Sequence, residues 1–217
     1  METATTNCSV SLSKDGETIV LKEDNDKSYS HAERLHVYID DILKDAKVSL
    51  TDLNAIAVSK GPGSYTGLRI GVSAAKGLCF ALDKPLISVP TLHALAHQLK
   101  INEGVIVAML DARRMEVYSA IYNSDYEEIR ETKAQILNEM AFAELLDKGK
   151  VYFIGNGVEK TKTIINHPNA IFIENKLPSS NDMSLLAYNK YKISNTEDVA
   201  YFEPYYLKDF VALKPKS

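Results

Sequence analysis

The run Lys60-Gly-Pro-Gly-Ser-Tyr-Thr-Gly-Leu-Arg-Ile-Gly-Val-Ser-Ala-Ala-Lys-Gly-Leu-Cys-Phe-Ala-Leu82 sets hydroxyls, backbone amides and a cation at the mouth of a helix. Unpaired N–H groups at a helix N-terminus receive anions. Ser64 and Thr66, with Arg113 from farther along the chain, are therefore the residues that could touch a phosphate or nucleotide; the competing expectation is that Ser64 only caps the helix. A phosphate-binding GxxxxGK[ST] loop is excluded, because Gly61 to Gly67 is one residue too long and Leu68-Arg69 stands where Lys-Ser/Thr is required. GxGxxG fails too, its third glycine coming one position late. Gly63-Ser-Tyr-Thr-Gly67 is not the GxSxG spacing of a nucleophile elbow. His93 and His97 stand at i, i+4 without the glutamate of a zinc-protease helix, and read as a structural pair. Asp111-Ala-Arg-Arg114 offers an acid and two cations, and Gly155-Asn-Gly157 follows an apolar run; both also suit ordinary turns.

The elements that must position these residues follow from periodicity. Cys8–Ser13 and Glu17–Lys22 alternate about Lys14-Asp-Gly16, a hairpin signal. Ser30-His-Ala-Glu33 reads as a capping box opening an amphipathic helix over 31–46, with Leu35, Tyr38, Ile39 and Ile42 on its apolar side. A short capped turn at 49–52, a strand over 55–58 and a helix over 65–82 come next. Gly67, Gly71 and Ala75 recur every four residues on that helix, although each helical glycine costs about 1 kcal/mol against alanine. A face that admits another backbone would offset this. Strands are expected at 85–89, 105–110, 116–122, 127–130, 151–154 and 171–173, with helices at 91–99, 138–147, 157–166 and 181–192. The alternation predicts α/β packing in two similar halves, 1–100 and 101–217, the last segment packing back on the first.

The composition narrows the class. The chain has 217 residues, 45% of them apolar, enough for a buried core. Two cysteines, Cys8 and Cys79, form neither a disulfide framework nor a zinc spacing, and a cytoplasmic setting is expected. No stretch is long and apolar enough to suggest a membrane span or a leader. A net charge of −4 gathers no nucleic acid by itself, so any RNA contact would be shared with a partner. Lys60, Arg69, Lys76 and Lys84 cluster near the glycine-rich run, where a solvated helix face is the plainer reading.

Lys60–Leu82, together with Glu2-Thr-Ala-Thr5, His31-Ala-Glu-Arg-Leu35, Leu50–Val58, Val89-Pro-Thr-Leu92, Asp111–Tyr118 and Pro204-Tyr-Tyr-Leu207, resembles the bacterial TsaB (YeaZ) family in the same order along nearly the whole chain. The resemblance implies the actin-like ATPase superfamily fold, built of two ribonuclease-H-like α/β halves. It implies a non-catalytic subunit in the formation of N6-threonylcarbamoyladenosine at position 37 of ANN-reading tRNAs. A TsaD-like transferase and a TsaE-like ATPase would be the partners, holding the metal and ATP or ADP, with tRNA contacted through the complex and no cofactor or metal of the chain's own.

On that resemblance the interface would draw on Leu35, Tyr38, Ile39 and Ile42 of the first helix and on Gly67, Arg69, Gly71, Ala74, Ala75 and Leu78 of the second. A homodimer would use the same helices. Placed against the HxEGH metal segment of TsaD-like proteins, Thr91 and Leu95 stand at the ligand positions and His93 at the glutamate position. Three residues depart from the family pattern: Met1 stands where an apolar strand usually leads into the Glu2–Thr5 motif, Met115 stands for glycine, and Lys208 for arginine. The alternative reading is an enzyme of the same superfold, a nucleotide-dependent phosphotransferase or a glycoprotease-like metallopeptidase.

Overall fold

The computed structural model describes residues 1–25 and 31–208; Ser30, the expected cap of the first helix, lies outside them. Strands β1 (Asn7–Lys14) and β2 (Glu17–Asn25) form an antiparallel hairpin. Asp15 and Gly16 supply the two positive φ angles that such a turn needs, 53° and 88°. Helix α1 (His31–Ala46), strand β3 (Ile56–Gly61), helix α2 (Tyr65–Leu82), strand β4 (Leu86–Pro90) and helix α3 (Thr91–Ala96) complete the first half. β3 and β4 are parallel, joined by α2 as a crossover.

Residues 1–2 join these two ladders into one sheet. The Met1 nitrogen donates to Ala57 O at 2.9 Å and Ser59 N donates to Met1 O at 3.0 Å, a parallel pairing on β3. Glu2 and Ser9 exchange backbone bonds at 2.9 and 3.0 Å, an antiparallel pairing on β1. The first sheet thus reads β2, β1, residues 1–2, β3, β4.

The second half repeats that plan. β5 (Val105–Asp111), β6 (Glu116–Tyr122), β7 (Glu128–Ile136), β8 (Val151–Ile154) and β9 (Ala170–Ile173) form one sheet of order β7-β6-β5-β8-β9. β5, β6 and β7 are antiparallel, while β5, β8 and β9 are parallel. Order and direction match the first sheet, the duplicated ribonuclease-H-like arrangement of the actin-like fold. Helices α4 (Ala143–Leu146), α5 (Val158–Thr161) and α6 (Ser184–Lys192) complete the described elements.

Three helices are shorter than periodicity predicts, and a fourth, expected at 181–192, begins as a 3-10 turn over Ser180–Met183 before α6. At 138–147 only Ala143–Leu146 is helical, because Asn138 Oδ1 accepts from Met140 N and Phe142 takes a left-handed φ of 64°. At 157–166 the helix stops after Thr161 and continues as tighter turns, Ile164 N donating to Thr161 O. α3 ends at Ala96, not Leu99. β7 instead runs on to Ile136, paired with β6 from Tyr122↔Glu128 to Glu116↔Ile136, with the register shifting on either side of Ile121.

The first sheet is covered on both faces. α1 and α2 close one face, Leu35 and Ile42 of α1 and Val72, Ala75 and Cys79 of α2 packing in one core with Val10 and Val58 of the sheet. The other face, at Ala55, Ala57, Ile87 and Val89, is closed by Met183, Leu186 and Ala187 from the end of the chain. Polar bonds fix that return: Asn7 Nδ2 donates to Pro178 O (3.0 Å), Ser180 N to Ser9 Oγ (2.8 Å) and Lys190 Nζ to Ser88 O (2.7 Å).

Candidate partner-binding surface

Helix α2 divides its small residues between two faces. Gly67, Leu68, Gly71, Val72, Ala75 and Cys79 are buried. A Cβ on Gly67 would collide with the Thr3 carbonyl oxygen, and one on Gly71 with Thr3 Oγ1, which itself donates to Gly67 O at 2.8 Å. The backbone admitted by the glycine stripe is therefore the chain's own amino-terminal segment. This corrects the expectation that Gly67, Gly71 and Ala75 meet a partner. Leu35 and Ile42 of α1 are likewise enclosed, at 0% and 4% exposure, in the core of the first half. Tyr38, Ile39, Ala74 and Leu78 are half-buried against that core, and Arg69 is exposed.

The opposite face of α2 carries Thr66, Arg69, Ile70, Ser73, Gly77, Phe80 and Ala81, with Ile70 half-buried and the others exposed. A Cβ on Gly77 would meet nothing within 4 Å. Phe80 is 86% exposed, and Val37 of the adjoining α1 is 54% exposed. A shallow strip of small residues beside a solvent-exposed aromatic ring lets a second helix approach closely while the ring supplies buried area. Ser73, Gly77 and Phe80 were not among the expected interface residues. The available signal was Gly77, a helical glycine off the 67–71–75 stripe that also needed offsetting.

One edge of this face is bounded by the end of the chain. Lys76 Nζ donates to Ala200 O (3.1 Å) and Phe202 O (2.9 Å), so it is anchored and not part of a free basic patch. Arg69 donates to Tyr65 Oη at 3.2 Å and lies over that ring, 5.4 Å from its centroid, while Tyr206 packs on Tyr65 at 4.9 Å. Tyr205 N donates to Lys60 O at 2.7 Å, and Lys208 pairs with Glu116 of β6. The last described residues thus strap the glycine loop to the second half.

The loop itself is not shaped as a phosphate cradle. A Cβ on Gly63 would stand 2.5 Å from Ala4 O, so the space in front of the loop is filled by the chain. Ser64 N donates to Ala4 O (2.7 Å) and Ser64 Oγ accepts from Gly67 N (3.3 Å), which is capping work. Thr66 and Arg113 are exposed, and among the described residues no hydrogen bond or ion pair joins Arg113 to Ser64 or Thr66. Asp111 accepts from Arg113 N (2.6 Å) and from Lys160 Nζ (3.0 Å), closing its turn internally. Gly155 is required by its φ of 111° and its contact with Met109 O. Ser64, Asp111 and Gly155 are thus each engaged within the chain.

His93 stacks on Tyr122 (5.0 Å) and His97 on Tyr126 (4.0 Å). Burial lowers the pKa of both, and His93 beside it helps bring His97 to about 4. Thr91 is buried and shares a 2.6 Å hydrogen bond with Ser59, and Leu95 is fully buried. Among the described residues no group of three or more His, Cys, Asp or Glu is placed to hold a metal ion.

Residues 25–216 match the family model described as TsaD: tRNA N6-adenosine threonylcarbamoyltransferase. The chain is 33% identical over 222 residues to the Escherichia coli (strain K12) tRNA threonylcarbamoyladenosine biosynthesis protein TsaB, covering 99% of this chain and 95% of that one. The Haemophilus influenzae protein of the same name is 30% identical, with 99% and 94% covered. The chain belongs to the TsaB family. YeaZ from Pseudomonas aeruginosa superposes with a TM-score of 0.80 at 28% identity, covering 95% of this chain and 97% of that one. A Staphylococcus epidermidis tRNA N6-adenosine threonylcarbamoyltransferase is 32% identical over 158 residues, which cover only 46% of its length. TsaB membership thus accounts for the chain end to end, whereas the transferase is matched over less than half.

The Lys60–Leu82 motif specifies how α2 seats on Thr3 and Ala4, and the face beside it is left to solvent.

Proposed function

We propose that this chain acts in forming N6-threonylcarbamoyladenosine on tRNA, as a subunit that contributes a binding surface and no reacting group. Its end-to-end correspondence with proteins bearing the name tRNA threonylcarbamoyladenosine biosynthesis protein TsaB carries the reading. The packed glycine loop and the internally closed Asp111 turn support a scaffold over a phosphotransferase or peptidase. Its partner is a TsaD-like transferase, docked on the Thr66–Ala81 face of α2 and the neighbouring Val37 of α1; a TsaE-like ATPase joins that pair. ATP or ADP and the metal belong to those partners, and tRNA is met through the assembly, in the cytoplasm. A second copy of the chain would use the same helices and compete with the transferase.

Reconstitution tests this. The TsaD-like and TsaE-like proteins of the same organism, the threonylcarbamoyl-adenylate synthase and an ANN-reading tRNA transcript should yield the modified nucleoside only when this chain is added. Full yield without it, or ATP or peptide hydrolysis by the chain alone that Asp111→Ala or His97→Ala abolishes, would return the enzyme reading.

A further inference from the structure

Between α2 and the end of the described chain lies a groove of about 420 Å³. Arg69, Ser73 and Lys76, at i, i+4 and i+7 on α2, form one wall, and Phe202, Glu203 and Tyr206 form the other. Arg69 and Ser73 are exposed and belong also to the outer face of α2, so the groove opens onto that face. Its charge is unbalanced. From Tyr65 to Leu82 the helix has no acidic residue, and its two cations, Arg69 and Lys76, both line the groove. Lys76 Nζ donates to the carbonyl oxygens of Ala200 and Phe202, and Arg69 Nη1 donates to the Tyr65 hydroxyl. Those acceptors are neutral, so Lys76 is anchored without losing its charge. Glu203 is the one acid in the lining, and among the described residues no ion pair joins it to either cation. The sign is opposite to that of the whole chain, which carries −4, and to that of α1 across the face, where Glu33, Asp40, Asp41 and Asp45 outnumber Arg34 and Lys44.

On the reading that a TsaD-like transferase docks on the outer face of α2, we propose that the docking site continues onto residues 202–206, and that the groove receives an Asp or Glu side chain of the transferase. Arg69 spends one N–H on Tyr65 and keeps the rest of its fork for a carboxylate. Ser73, one turn along, adds a hydroxyl, and Lys76 adds charge from the groove wall. A carboxylate is favoured over a nucleic-acid backbone for two reasons. A run of phosphates would extend past the two cations to Glu203 and the acids of α1, whereas a single carboxylate stops between the cations. Tyr65 and Tyr206 pack on each other, ring centroids 4.9 Å apart, which occupies the ring faces that bases would need. The change of sign across the face also orients the partner: its acid is drawn to the α2 side and repelled from the α1 side.

Calorimetric titration into the transferase at low and high salt, with Arg69→Glu and Glu203→Gln beside the wild type, tests this. Arg69→Glu should weaken binding at least about tenfold and flatten the loss of affinity that the wild type shows as salt rises. Glu203→Gln, which removes a repulsion from the incoming carboxylate, should tighten binding about two- to fivefold, a gain that a merely structural role would not produce. Both variants should keep the wild-type urea midpoint. If the wild type binds and Phe80→Asp does not, while Arg69→Glu binds as the wild type does or Glu203→Gln brings no gain, the groove is overturned and docking on the outer face stands. If the wild type does not bind, both fall. Binding of an ANN-reading tRNA transcript by the chain alone that Arg69→Glu abolishes, with transferase affinity unchanged, would assign the groove to RNA and overturn the proposal.

Discussion

Thr3 decides what the glycines of α2 are for. Because Gly67 and Gly71 rest on its carbonyl and hydroxyl oxygens, Gly71→Ala should destabilise the chain by about 1–3 kcal/mol through overpacking. Gly77→Ala, with open space at its Cβ, should stabilise it by about 0.5–1 kcal/mol. Urea denaturation of the two variants checks both signs, and equal effects would contradict the assignment of faces. His97 gives a pH signature. Its folded pKa, about 4, lies below the ordinary histidine value of about 6.5, so it contributes stability above pH 6.5 that is lost as pH falls toward 4. His97→Phe keeps a ring on Tyr126 and removes the titration. Over that interval the wild type should lose more stability than the variant, a difference that cancels opposing groups such as Glu2, whose buried carboxyl is held above its usual range. Parallel pH profiles would show that His97 does not carry the effect.

At the scale of elements, sequence pattern gave α1, α2, β6 and β8 their full bounds, since each has a long or sharply punctuated apolar period. It overestimated the helices at 138–147 and 157–166, where Asn138 turn chemistry and tight turns at Thr161 overrode periodicity. The two faces of α2 were half legible. That α2 is a small-residue helix could be read from the sequence, but which side faces out depends on Thr3, more than sixty residues away. The helix alone presents two small stripes, and only the fold distinguishes them. Phe80→Asp on the outer stripe should leave the unfolding free energy from urea denaturation within about 0.5 kcal/mol of wild type, because its ring is 86% exposed, while weakening association with the transferase at least about tenfold. A parallel loss of stability would mean that Phe80 serves the fold.

Across the whole molecule, the division into residues 1–100 and 101–217 describes the two sheets but not the folding unit. Ala57, Ile87 and Val89 are covered by Met183, Leu186 and Ala187, so the first sheet has both layers only when the end of the chain returns. Deleting residues 177–208 should expose that face, lower the melting temperature and produce binding of a hydrophobic dye. A deletion chain that melts like the full one would contradict the role given to α6. The repeat was visible only as an alternation of elements, because the matching strand orders share backbone pairing and not side chains. The strap from Tyr205 to Lys208 ties the glycine loop to β6 and borders the outer face of α2, so fold integrity and the proposed docking face meet at one place.

The account rests on that outer face, and calorimetric titration of the chain into the TsaD-like transferase of its organism tests it most directly. Wild type should bind, Phe80→Asp should fail or bind at least about tenfold more weakly, and both should unfold at the same urea concentration. No binding by wild type, even with the TsaE-like ATPase and ATP present, or equal binding by both chains, would contradict it.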